Sequence, residues 1–343
     1  MQSRVLRADG VDRASIDVSL STQPPESGWI WIDIIAGDSD LEQVVGLTTG
    51  LEFDALAVQD AVADTDLPKV DDFGSHLLVI LHGLRDDRVA TYEVDCFVTD
   101  RCLVTVHNSS SPALDVLWDR ILQRPELARG GVDELLARIA DVLTRRLLSV
   151  VDAFDELVDT LIVRALEADG QLVSEVTTIR SDLSEVRRVV HPQRETLDLL
   201  RSSVSRLVSD RGRRRFSDVF DVALRASQGL DSARSALAEI LDAYRGAEAR
   251  KATDVTMVLT IYAAIMLPLS LVAGFFGMNF ENLPGSGADW GWWVAALIMV
   301  AIAVLSLGVF VTVGWIRRPS GRQAGVALGR GLMEAARAPA QVA

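Results

Sequence analysis

Val255 to Phe276 is a run of 22 residues without one charged side chain. At ~1.5 Å rise per residue a helix of that length reaches about 33 Å, enough to cross the hydrocarbon core of a bilayer. Trp292 to Trp315 is a second uncharged run, reached through the short loop ENLPGSGADWG. The rest of the chain has to be arranged around two membrane spans near its C-terminal end. Arg245, Arg250 and Lys251 precede the first span, and Arg317, Arg318 and Arg322 follow the second. The loop between them carries only Glu281 and Asp289. The positive-inside rule therefore predicts both termini in the cytoplasm and the loop outside. Trp290, Trp292 and Trp293 would lie at the outer interface and Trp315 at the inner one, as an aromatic belt requires.

The first span is patterned. Thr253, Thr256, Thr260, Ala263, Leu267, Ser270, Gly274 and Gly277 follow steps of three and four, so they share one helix face. All but Leu267 are small or carry a hydroxyl. Two physical accounts fit such a stripe. Small residues allow close helix packing in lipid. Alternatively, they line a narrow wet pathway where several copies meet round an axis.

The other 250 or so residues suffice for a sizeable soluble domain. The first residues, MQSRVLRADGVDR, are polar and predict no secretory leader. Residues 1–250 hold 28 Lys and Arg against 44 Asp and Glu. That acidity argues against nucleic-acid binding. It suits either a domain that collects cations or a merely solvated surface. Cys96 and Cys102 sit in apolar, strand-like stretches and read as buried thiols rather than a disulfide or metal site. His76, His82, His107 and His191 have no metal-ligand spacing. No phosphate-binding loop and no nucleophile–base constellation is present, so neither an enzyme nor an organic cofactor is expected.

Strands are predicted around Arg4-Val5-Leu6, at Ser15 to Ser19, Trp29 to Ile35, His76 to Leu84, Tyr92 to Thr99 and Cys102 to His107. Asp100-Arg101 turns the last two into a hairpin. Ser39 with Glu42 makes a capping box for a short helix to Val45, and a second short helix spans Asp54 to Ala63. Ser111-Pro112 opens a helix to Gln123. Long amphipathic helices follow at Val132 to Ala168 and Leu172 to Leu207, the second kinked by Pro192. Arg211-Gly212 is predicted to break the chain, and a helix from near Arg215 runs into the first span, roughly 95 Å in all. A helix that long needs partners along its length. The tail after Arg317 reads as disordered or as a short surface helix from Val326 to Ala336.

Gly277-Met278-Asn279 ends the first span, preceded by Met266-Leu267-Pro268-Leu269 and Ala273-Gly274 and followed by Phe280. With a second span next, this resembles the CorA family of divalent-cation channels. The resemblance extends to Leu56-Ala57-Val58-Gln59-Asp60, Pro68-Lys69-Val70, Leu103-Val104-Thr105-Val106-His107, Arg188 with His191-Pro192, and Arg215-Phe216-Ser217-Asp218. It implies a homopentamer, funnel-shaped, with an α+β cytoplasmic domain whose mixed sheet is sandwiched by helices. The expected divisions are 1–131 for that domain, 132–212 for antiparallel helices and 213–252 for a stalk. The first span with its motif takes 253–279, the loop 280–290, the second span 291–315 and the tail 316–343.

The resemblance also implies residue roles. Gly277, Met278 and Asn279 would form the selectivity filter, Asn279 amide oxygens meeting the waters of a hydrated ion. Mg²⁺ dehydrates reluctantly, so polar oxygens suit it better than charges that would trap it. Asn279 also reads as an ordinary helix C-cap. Leu259 and Leu267 would be hydrophobic gates. Asp60 and Asp218 would meet across a subunit interface and hold a regulatory Mg²⁺. By position alone, Asp242 reads as an acidic ring at the inner mouth or as part of a solvated helix face, and Glu281 and Asp289 read as acids that gather cations outside or as ordinary loop acids. Thr253 and Thr256 depart from the family's usual Asn and Met, and Pro284-Gly285-Ser286-Gly287 departs from its usual loop. The implied activity is Mg²⁺ influx in the cell (inner) membrane, with Co²⁺ and Ni²⁺ as further cargo. A zinc transporter of the same fold, proton-coupled or not, and a membrane-anchored structural stalk remain alternatives.

Overall fold

The computed structural model describes residues 2–8, 14–17, 28–35, 51, 53–54, 57–58, 61, 67–85, 89–278 and 290–315. It divides into two compact units, Met1–Arg245 and Gly246–Ala343.

The first unit is built on seven strands: β1 Gln2–Ala8, β2 Ala14–Asp17, β3 Trp29–Ile35, β4 Lys69–Asp72, β5 Leu77–Leu84, β6 Thr91–Val98 and β7 Cys102–His107. They form one sheet in the order β2-β1-β3-β7-β6-β5-β4. β3 and β7 pair in parallel, Asp33 opposite Thr105 and Ile35 opposite His107. The other pairs are antiparallel. The central strands WIWIDII, LLVILHGL and CLVTVH read as nearly unbroken apolar runs because both of their faces are covered. On one face Trp31, Val79 and Leu103 pack against helices. On the other Ile30, Ile80 and Val104 pack against Phe53, Ala57, Val58 and Ala61. This is the expected mixed sheet between helical layers.

β4 was not expected. Its KVDD sequence carries no apolar alternation, because it is an edge strand paired only with β5. The capping-box helix of Ser39 and Glu42 lies outside the described residues. Ala57, Val58 and Ala61 are helical, within the expected second short helix.

Helix α1 spans Pro112–Gln123, and the Ser111 hydroxyl caps it by accepting from the Leu114 N–H. A 3₁₀ turn follows at Pro125–Ala128. Helix α2, Val132–Leu166, ends two residues earlier than expected. Ala168 takes a left-handed φ of 49°, and the Asp169 N–H turns back to the Arg164 carbonyl. Helix α3 runs Leu172–Arg201 with Pro192 inside it, and stops short of Leu207. The serines explain the stop: Ser203 Oγ accepts from the Ser205 N–H, and Ser205 Oγ from the Leu207 N–H. Such local bonds compete with the helical ladder.

Helix α4 spans Asp210–Phe276 in 67 residues. It begins before Arg215, and Gly212 does not break it. Ser209 is the cap: its hydroxyl accepts from the Gly212 N–H, and its own N–H and hydroxyl donate to Asp133 Oδ2. A Cβ at Gly212 would collide with the Asp133 carboxylate, so glycine is required by packing. Val151 lies as tightly against Gly229, where α2 meets α4. There α2, α3 and α4 share an apolar core that includes Phe154, Leu161, Val186, Leu230 and Leu237. Thus α4 finds partners along its first half within the chain.

In the second unit, α4 continues to Phe276, and α5 spans Gly291–Thr312. Both have the length and composition to cross a membrane, and the apolar window of each is 0% buried within the chain.

Candidate functional site

The patterned face of α4 is open. Thr253, Thr256, Leu259, Thr260, Leu267, Ser270 and Gly274 are exposed and Ala263 is half-exposed. Each threonine uses its hydroxyl in the same way. Thr253 Oγ1 donates to the Ala249 carbonyl at 2.9 Å, Thr256 to Ala252 at 2.9 Å and Thr260 to Thr256 at 2.8 Å. Once its proton is committed to the backbone, a hydroxyl oxygen presents only acceptor lone pairs outward. Leu259 and Leu267 stand 66% and 69% exposed. Pro268 lies inside the helix and has no N–H for the carbonyl four residues earlier, that of Ala264. This adds a freed acceptor that the sequence reading did not use.

The helix closes where the motif begins. The Gly277 N–H donates to the Ala273 carbonyl at 2.9 Å and the Met278 N–H to Phe275 at 3.4 Å. A Cβ at Gly277 would stand 2.9 Å from the Ala273 oxygen, too close for any other residue without movement. Met278 is exposed. Asn279, Glu281 and Asp289 lie outside the described residues, as do Asp60 and the tail.

Asp218 and Asp242 share helix α4 but are 24 residues apart, roughly 36 Å along the axis, so one chain does not bring them together. Asp242 pairs with Arg245 at 3.0 Å, both side chains 73% exposed. Asp218 is exposed and lines a cavity of 640 Å³ between α1, α2 and α4. Among the described residues no group of three His, Cys, Asp or Glu could hold a metal ion.

Two constellations escaped the sequence reading because their members come from distant segments. The first is buried in the sheet. Asp33 accepts from Arg4 Nε at 2.8 Å, from the Thr105 hydroxyl and from His107 Nε2 at 3.1 Å. His107 Nδ1 faces the Ser109 carbonyl. Both ring nitrogens thus face acceptors, which suits the imidazolium. Burial alone would raise the Asp33 pKa and lower that of His107. Their mutual hydrogen bond and charge reverse both directions, with Arg4 assisting Asp33. The second is the set of arginines around the Asp218 cavity.

The cysteines and the other histidines of the first unit have no part in either constellation. Cys96 and Cys102 are free and buried, and burial pushes their thiols up, Cys102 to about 12. Burial and the nearby Arg188 depress His82 to about 4. His76 is lowered by burial, and His191 lies 3.1 Å from the Ser227 hydroxyl.

Comparison with known proteins gives these features a common source. The cobalt/magnesium transport protein CorA of Thermotoga maritima is 27% identical over 293 residues, covering 83% of each chain. The zinc transport protein ZntB of Yersinia enterocolitica is 24% identical over 261 residues, 74% of this chain and 77% of its own. The complete structure of the CorA magnesium transporter from Methanocaldococcus jannaschii superposes with a TM-score of 0.80 at 20% identity, covering 92% of this chain and 99% of that one. The family model of the CorA-like Mg²⁺ transporter proteins matches residues 26–318. With two membrane-length helices and this sheet domain, the chain belongs to the CorA-like Mg²⁺ transporter family, whose members move divalent metal ions across membranes.

Proposed function

We propose that this chain is a Mg²⁺ influx channel, working as a homopentamer in the cell membrane with both termini cytoplasmic. The observation that carries the reading is the open face of α4. Thr256 and Thr260 direct acceptor oxygens outward along a stretch free of charge from Val255 to Phe276, and Thr253 does the same just before it, beside Asp254. A hydrated Mg²⁺ offers only donor hydrogens from its water shell, so such a face lets it pass without stripping its waters. Asn279 would meet the ion first, beyond the tight turn at Gly277, and Leu259 and Leu267 would close the path by dewetting. The driving force is the membrane potential, about 4.6 kcal/mol for a divalent ion per 100 mV. Co²⁺ and Ni²⁺ would follow the same path.

Regulation follows from carboxylates between copies. Asp60 of one copy and Asp218 of the next would repel unless a Mg²⁺ bridges them, so high cytoplasmic Mg²⁺ would hold the channel closed. Zinc is the second reading. It is favoured by the ZntB relative, and the glycine-rich outer loop and Thr256 leave it open.

The test is flux into liposomes holding a Mg²⁺-sensitive dye under an inside-negative potential. Mg²⁺ should enter with the wild-type protein and fail to enter with Asn279→Ala. Zn²⁺ entry with proton movement and no Mg²⁺ entry would transfer the protein to the zinc reading. Folded protein that passes no divalent ion would leave only a membrane-anchored stalk.

A further inference from the structure

The cavity beside Asp218 has the wrong sign for its surroundings. Residues 1–250 carry a large excess of acid, yet this 640 Å³ space is lined by five arginines and two aspartates. Arg120 and Arg124 come from the end of α1, Arg138 and Arg145 from α2, and Arg215 from the start of α4. Two of the five are neutralised. Arg145 Nε grips both oxygens of Asp141 at 2.8 and 2.9 Å, and Arg215 Nε meets Glu134 at 2.7 Å.

The other three are not. Arg120 and Arg124 have no side-chain hydrogen bond or ion pair with any described residue. Arg138 Nε is buried without a hydrogen-bond partner. Burial and then the neighbouring Arg215 lower the Arg138 pKa, outweighing the pull of Glu134 and Asp141, carboxylates already engaged by Arg215 and Arg145. Against these three cations stands one unpaired carboxylate, Asp218. Arginine forks match phosphate oxygens in geometry as well as charge. The space far exceeds one phosphate and lies within the range of small-molecule sites. Leu117, Leu127, Val142 and Val219 give it an apolar lining as well.

We propose that this cavity binds a phosphate-bearing small molecule of nucleotide size, a nucleoside di- or triphosphate. The phosphates would lie against Arg120, Arg124 and Arg138, and the base against the apolar wall. The site shares Asp218 with the Mg²⁺-bridged position proposed above.

Isothermal titration of the full chain in detergent, with EDTA to remove divalent bridges, tests the proposal. ATP and ADP should bind, adenosine should not, and tripolyphosphate should bind more weakly than ATP. Arg120→Ala with Arg124→Ala should weaken ATP by about tenfold or more. Both side chains are exposed, so the melting transition should stay where it is. Asp218→Asn should tighten binding, since it removes the one opposing charge. ATP that does not bind folded wild-type protein overturns the proposal. So does ATP binding indifferent to both sets of substitutions. Tripolyphosphate binding as tightly as ATP would overturn the nucleotide assignment.

Discussion

The sheet of the first unit and the membrane-length helices of the second satisfy their polar groups in opposite ways. In the sheet, the carboxylate of Asp33 is 1% exposed and receives hydrogen bonds from the two strands that flank its own β3: Arg4 on β1, and Thr105 and His107 on β7. Every partner belongs to the same chain. In α4, Thr253, Thr256 and Thr260 turn inward to their own backbone, and among the described residues they remain exposed. One region is complete in a single copy. The other, in the proposed reading, would be completed by its surroundings: lipid on the apolar faces and water or further copies on the hydroxyl face.

The largest effect should come from breaking the self-contained region. Asp33→Ala leaves His107 without its carboxylate inside the sheet, while Arg4 keeps its second carboxylate, Asp115, at 2.8 Å. Removing one partner of a buried ion pair costs about 3–5 kcal/mol. Denaturant unfolding of the full-length protein in detergent, followed by tryptophan fluorescence, should show that loss. A loss under 1 kcal/mol would mean that His107 finds water, and that the sheet is less closed than its contacts imply.

The same region should respond to pH at both ends. His82 is held at about 4, below its ordinary value near 6.5, so the unfolded chain binds the extra proton. Its contribution is complete above 6.5 and is lost as pH falls from 6.5 to 4. His107 is raised, so its contribution is complete below 6.5 and is lost as pH rises through its folded value. Asp33 is lowered, and its share is lost only as pH falls below about 3.8. Stability should therefore decline on both sides of pH 6.5. His82→Asn should flatten the acid limb, by at most about 3 kcal/mol. An acid limb unchanged in that variant would assign it to other groups.

How far the fold is legible in sequence divides along the same line. Strands β3 and β7 and helix α1 have the expected limits, because Gly28, Asp100-Arg101 and Ser111-Pro112 punctuate them locally. The two spans are legible because length and absence of charge are local properties. The start of α4 is not, since Gly212 reads as a breaker until Asp133, far upstream, is seen to fill the space of its side chain. The Asp33 cluster and the arginine cavity are illegible for the same reason: each gathers residues that only the folded sheet and helices bring together. On α4 the stripe of candidate pathway residues was legible from period alone, but the direction of its hydroxyls was not.

Thr260→Val sharpens the other half of the comparison. The hydroxyl already donates to the Thr256 carbonyl, which also belongs to the helical ladder, so its loss should barely alter folding. If the outward lone pairs handle the waters of a hydrated ion, one acceptor per copy disappears. Mg²⁺ flux should then fall by about threefold to tenfold, with the melting transition unmoved. Unchanged flux would make the stripe a packing surface.

The smallest effect on stability should be at Asp242. Its pair with Arg245 is one helical turn long and exposed on both sides, and such pairs contribute about 0.5 kcal/mol or less. Asp242→Asn should leave unfolding unchanged. What the substitution does to flux depends on neighbours that a single copy lacks. If several copies bring this carboxylate round one axis, their fields add, and cations concentrate at the inner mouth. Flux in the variant should then be lower at low ionic strength, and should approach the wild-type value as salt shortens the screening length towards about 3 Å at 1 M. A deficit that persists in high salt would indicate direct contact between Asp242 and the ion. No deficit at any salt would return Asp242 to the solvated face of a helix.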